Sequence, residues 1–143
     1  MSGPTLSTKV DLVIAAKNLP SKDVFSKSDP MGVLFWWDNQ KWVKIGHTEP
    51  INNNEHPVFT KRFTVDFFFE MTQKFKIAIY DVDSSNLDNL DAHDNIGHIE
   101  FTLGKLMCSP GNQIDMRMTK PTGELCSAAN IIVTGYQVVE SRN

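Results

Sequence analysis

The run FKIAIYDVDSSNLDNLDAHDNIGHIEFTL (residues 75–103) reads as two strands separated by a polar, acidic loop. Phe75, Ile77 and Ile79 recur at every second position before the loop, and Ile99, Phe101 and Leu103 do the same after it. Successive side chains of a strand point to opposite faces, so a period of two marks a strand with one face buried. Between the two runs, residues 81–95 hold five aspartates, three asparagines and two serines. Those residue types favour turns over ladders, which makes the segment a loop.

The same period extends outward in both directions. Val10, Leu12, Ile14 and Ala16 alternate with Lys9, Asp11, Val13 and Ala15, and a Pro-marked loop follows over residues 17–30. Residues 31–37 and 41–47 flank the polar turn Asp38-Asn39-Gln40, which predicts a hairpin. Three consecutive asparagines and two prolines make residues 49–57 a loop. Phe63, Val65, Phe67 and Phe69 then alternate with Arg62, Thr64, Asp66 and Phe68, giving a long strand with an aromatic inner face. Two further strands are expected over residues 113–119 (Ile114, Met116 and Met118 inward) and 131–139.

About eight short strands, punctuated by Gly, Pro and Asn and with no helix longer than a turn or two, predict an all-β, antiparallel sandwich. No repeat, low-complexity tract or linker divides the chain. The expectation is a single domain over residues 1–143 with its core at about 8–140.

Composition narrows the function classes. With 143 residues, 41% apolar and 22% charged, the chain is an ordinary globular sequence. A formal charge of −3 leaves no basic footprint for nucleic acid. The first nine residues lack the apolar core of a signal peptide, no apolar run reaches membrane-spanning length, and Gly3 is not placed for myristoylation. Cys108 and Cys126 carry no metal-type spacing, and the expectation is two free thiols in a reducing, cytoplasmic compartment.

The carboxylates are unevenly spread. The first long loop holds Asp23 and Asp29, and the loop of residues 81–95 holds Asp81, Asp83, Asp88, Asp91 and Asp94. If the two loops share one end of the sandwich, these side chains converge. Two carboxylates about 4 Å apart repel by roughly 4 kcal/mol at an effective dielectric near 20, a large share of a domain's stability. A cluster of that kind is either splayed into water or held by a cation. Oxygen ligands from flexible loops suit Ca²⁺ better than Mg²⁺ or Zn²⁺. The Asp81-Val82-Asp83 start is not an EF-hand loop, because Asn86 stands where that loop needs Gly and Ala92 where it needs Glu. No nucleophile elbow, phosphate-cradling Gly-rich loop or Ser, His and Asp trio marks a catalyst, so no enzyme is expected. His47, His56, His93 and His98 form no ligand set.

Three stretches carry a family resemblance: LVIAAKNLPSKDVFSKSDP (residues 12–30), HPVFTKRFTVDF (56–67) and IAIYDVDSSNLDNLDAHDNIG (77–97). In this order they resemble the first calcium loop, a core strand and the third calcium loop of C2 domains, over about residues 9–103. TVDFFFE (64–70) and the long third loop are most similar to the N-terminal C2 domain of copines. The resemblance implies a C2 fold in its circularly permuted (type II) topology, and a first module of a longer copine. It implies metal ligands at Asp23, Asp29, Asp81, Asp83 and Asp94, with Asp91 at a sixth, more variable position. Backbone carbonyls of Val24 and Val82 complete the set, and about two Ca²⁺ ions are expected.

Val24, Phe25, Leu87 and Leu90 are apolar residues among these acids, and Lys22 and Lys27 flank them. They are the expected lipid contacts in a Ca²⁺-dependent module that docks on anionic, phosphatidylserine-type membranes, moving there from the cytoplasm. The alternative is a C2 domain that binds mainly protein partners, with weak or no calcium dependence. Lys41, Lys44, Lys61 and Arg62 sit on strands or near their ends and read as solvated charge more readily than as a phosphoinositide patch. Trp36, Trp37 and Trp42 read as core or edge packing.

Overall fold

Eight strands form one antiparallel ladder in the computed structural model, which describes residues 7–21 and 27–139. They are β1 (Ser7–Lys17), β2 (Pro30–Trp37), β3 (Trp42–His47), β4 (Val58–Phe68), β5 (Lys74–Asp81), β6 (Asp94–Thr102), β7 (Gln113–Thr119) and β8 (Leu125–Gln137). The order is β3-β2-β5-β6-β7-β8-β1-β4. β6 and β7 meet at a single pair, His98 with Thr119, so the ladder folds into two four-stranded leaves packed face to face.

Alternation decides which face each strand buries. Val10, Leu12, Ile14 and Ala16 of β1 are all buried, as are Phe75, Ile77 and Ile79 of β5 and Ile131 and Val133 of β8. Together with Phe63, Ile99, Phe101 and Met118 they form one continuous core. A short helix, α1 (Leu103–Cys108), follows β6; Thr102 caps it by accepting from the Lys105 amide, and Leu103 and Leu106 are buried against the core. The hairpin turn is stabilised as its residues predict, since the Asp38 carboxylate accepts from the amides of Gln40 and Lys41.

Two expectations need correction. Phe69 is not part of an inner aromatic face: β4 ends at Phe68, and Phe69 lies in the following turn, 69% exposed. Strand β8 begins at Leu125 rather than residue 131. Its first half buries Cys126 and Ala129, three positions apart, and small residues at broken spacing carry no period-two signal. Two of the three tryptophans pack at an edge. Trp37 and Trp42 meet edge to face at 5.2 Å across the β2–β3 pair, while Trp36 is exposed.

Register brings the acidic loops to one end. Asp81 closes β5 opposite both Pro30 of β2 and Asp94 of β6. The loop after β3 is stitched to the same end, with the amides of Ile51 and Asn54 donating to the carbonyls of Pro30 and Ser28, and those of Ala16 and Leu19 donating to Pro57 and Glu55.

Asp115 of β7 ties three strands. It accepts from Asn130 Nδ2 at 2.6 Å and Lys17 Nζ at 2.9 Å, and these two contacts hold its carboxyl below the usual carboxylate range. A depressed folded-state pKa stabilises the fold above the unfolded value of about 3.9 and stops doing so as pH falls through the folded value. In urea titrations Asp115→Asn should therefore be less stable than the parent at pH 6, by under about 1 kcal/mol because the pair is partly exposed. The two curves should converge as pH falls below the folded-state value, where the parent carboxyl is protonated in both states. A constant gap across that range would contradict the assignment.

Candidate metal centre

Asp81, Asp83 and Asp94 each present an oxygen, and the three oxygens lie within 4.8 Å of one another. Asp81 is buried at the strand end, while Asp83 and Asp94 are exposed. The geometry follows from the ladder: Asp81 and Asp94 are cross-strand partners, and Asp83 lies two residues past Asp81 where the chain leaves β5. All the donors are hard carboxylate oxygens, with no thiolate among them, so the set suits a hard divalent cation.

The first loop is joined to the third by its backbone. The Asp29 amide donates to Asp81 Oδ1 at 3.0 Å, and the Val82 amide donates to the Asp29 carbonyl at 3.0 Å. Asp29 Oδ1 accepts from the Asn53 amide at 2.6 Å. Asp29 thus borders the trio and locks the middle loop to it. Val82 lies between two members of the trio, half-buried, with its amide used by Asp29.

The remaining sequence candidates divide. Asp91 sits in a one-turn 3-10 segment, Leu90–Ala92, outside the trio. Its charge bears on Tyr80, whose phenol is pushed up first by burial and further by Asp91. Asp88 turns away and reaches Lys44 Nζ at 3.5 Å and His47 Nε2 at 3.3 Å on β3. Leu87 and Leu90 are half-buried, and Lys27 pairs with Glu55 at 3.7 Å. Lys22, Asp23, Val24 and Phe25 lie outside the described residues.

The cations of β3 and β4 each meet a neighbouring group, Lys44 pairing with Asp88. Lys61 lies over the Phe63 ring, and Arg62 lies over the Tyr136 ring with Asp11 at 3.8 Å. Lys61 and Arg62 border an open groove of about 670 Å³ together with Glu49 and Asp88, so charge there is balanced. Glu49 is also engaged: burial pushes its carboxyl up, but hydrogen bonds from the Thr60 amide and hydroxyl and the Lys61 amide outweigh burial and hold it below its ordinary value.

One residue that sequence reasoning passed over is central here. His93 is buried, and its Nδ1 accepts from the Asp83 amide at 3.0 Å while Nε2 lies 3.0 Å from the Asn86 carbonyl. No periodicity or motif marks it, because its partners are backbone groups ten and seven residues away.

A family model described as "C2 domain" matches residues 10–118. The chain belongs to the C2 domain family. The C2 domain is 36% identical over 121 residues to Copine-D of Dictyostelium discoideum, a match that covers 82% of this chain and 23% of that protein. The chain therefore spans about a quarter of that relative's length. Among solved structures it resembles BON1-C2B, with 22% identity, a TM-score of 0.67 and 92% of each chain covered. It also resembles a calcium-bound structure of two C2 domains of extended synaptotagmin 2, with 16% identity, a TM-score of 0.58, and 90% of this chain and 45% of that one covered. At these identities the structural matches speak to the fold alone. Membership of the family makes this C2 domain a binding module.

Proposed function

We propose that this C2 domain docks on anionic phospholipid membranes when Ca²⁺ binds the aspartate end of the sandwich. The observation that carries this reading is the convergence of Asp81, Asp83 and Asp94 within 4.8 Å. Asp29, Asp91 and the Val82 carbonyl join them in the proposal, as do Asp23 and the Val24 carbonyl from outside the described residues. About two ions are held. The calcium-bound state of the extended synaptotagmin 2 domains supports the choice of metal.

Before calcium binds, the clustered carboxylates repel a negative lipid surface. Bound Ca²⁺ supplies positive charge and coordination positions for lipid oxygens. The chain's own residues then orient the domain: Asp81 and Asp94 sit on the rigid ends of paired strands, and Asp29 joins the loops. Val24, Phe25, Leu87 and Leu90 enter the headgroup region, each fully buried side chain contributing about 1.5–3 kcal/mol. Lys22 and Lys27 add about 1 kcal/mol each near an anionic surface.

The domain is the first module of a longer copine, which the short coverage of Copine-D supports. Its topology is the permuted one, supported by β1 lying between β4 and the last strand, β8. It resides in the cytoplasm and moves to membranes with calcium; no helix among the described residues is long and apolar enough to cross a membrane.

Sedimentation with phosphatidylserine vesicles tests the proposal. The domain should pellet in calcium, stay in solution in chelator, and stay in solution with phosphatidylcholine vesicles in either condition. Asp23→Asn with Asp83→Asn should abolish pelleting. Calcium-dependent pelleting that survives the double substitution would refute the ligand assignment. No pelleting at all, in a domain that calcium still stabilises, would give the site to a protein partner instead.

A further inference from the structure

We infer that His93 is a positioning residue for the calcium site, acting through the Asp83 backbone; this rests on the calcium reading above. The Asp83 N–H donates to His93 Nδ1 at 3.0 Å, so Nδ1 is the unprotonated nitrogen of the neutral ring. The proton is then on Nε2, which donates to the Asn86 carbonyl at 3.0 Å. One imidazole thus spans Asp83 and Asn86, and along the chain it immediately precedes Asp94. It connects two members of the carboxylate trio to the first turn of the loop between them.

Besides the bond from the Val82 amide to the Asp29 carbonyl, three backbone bonds serve the loop's later turns: Asn89 to Asn86, Ala92 to Asn89 and His93 to Leu90. None of these three involves the Asp83 amide. Asp88 anchors the loop's middle to β3, on the side away from the trio. His93 is 7% exposed, so its two bonds are shielded from water, and it is a fixed strut rather than a surface side chain. Three carboxylates this close repel until a cation arrives, and that repulsion pushes the Asp83 end of the loop outward. With His93 in place the third oxygen waits at the site, and calcium has less of the loop to order.

Outer partners that orient metal ligands typically account for ten- to a hundredfold in affinity. Calorimetric calcium titration of the chain should therefore show a Kd raised about tenfold or more in His93→Ala. His93→Gln, whose amide both accepts and donates, should recover most of the loss. Amide hydrogen exchange in chelator supplies a readout independent of calcium: Asp83 should exchange faster in His93→Ala than in the parent, and near the parental rate in His93→Gln.

A parental Kd in His93→Ala would overturn the assignment. So would equal losses in both variants, since that pattern marks ring packing rather than the two hydrogen bonds. If the parent binds no calcium, the calcium reading fails on its own. The exchange data then still decide the strut: faster Asp83 exchange in His93→Ala than in His93→Gln upholds it, and equal rates overturn it.

Discussion

Calcium at about 100 times its Kd is expected to raise the melting temperature of this C2 domain by on the order of 10 °C. It should leave Asp83→Asn with Asp94→Asn unmoved. A ligand that binds only the folded state adds about 2.7 kcal/mol at that concentration, and a domain of this size shifts by about 4 °C per kcal/mol. The sign in chelator is the more telling part. Asp83 and Asp94 are exposed and lie within 4.8 Å of Asp81. Each such pair repels by about 1 kcal/mol at the dielectric of water and by about 3.5 kcal/mol at an effective value near 20. Removing two of the three charges relieves that repulsion, so the metal-free double variant should melt at or above the parent. Differential scanning calorimetry in calcium and in chelator checks both halves. A variant that melts well below the parent in chelator would mean the carboxylates serve as structural acceptors rather than as a charged cradle.

The second large effect is expected at Gly97 of β6, three residues past Asp94. Its φ of +153° lies where residues with a Cβ are strained, and a Cβ built there falls 2.5 Å from Met118 Cγ and 2.8 Å from both Sδ and Cε. Met118 is fully buried in β7, next to the one backbone pairing that joins the two leaves, His98 with Thr119. Methionine is adaptable, but Met118 is fully buried, so a shift of its side chain must displace packed neighbours. Gly97→Ala should cost about 2–6 kcal/mol, combining backbone strain of about 1–3 kcal/mol with overpacking of about 1–3 kcal/mol. Urea unfolding measures this directly. In a double-mutant cycle with Met118→Ala the two losses should be less than additive, because the truncated side chain no longer meets the new Cβ. A Gly97→Ala protein as stable as the parent would show that β6 can adopt an ordinary extended conformation at this point.

Much of the fold was legible because period two is a local property. Residues 113–119 were expected as a strand and form β7 over that range, with Ile114 and Met118 buried. The β1 apolar set, Val10, Leu12, Ile14 and Ala16, is buried throughout. The reading failed where local pattern and tertiary environment part. Phe69 continued an aromatic alternation past the point where the chain turns, and Leu125 to Asn130 paired with β7 without an apolar rhythm of their own.

The site divides along the same line. The strand–acid loop–strand order of residues 75–103, the choice of oxygen donors and the membership of the C2 family are all properties of the chain read in order. Distance along the sequence says nothing, however, about which of the five loop aspartates converge. Asp81, Asp83 and Asp94 come together because β5 and β6 pair with Asp81 opposite Asp94, and Asp88 leaves because Lys44 and His47 of β3 stand on the other side. The role of His93 is decided wholly in three dimensions. The His93 imidazole accepts from the Asp83 amide because the fold aims that amide at a buried ring, and no residue type or spacing encodes that encounter.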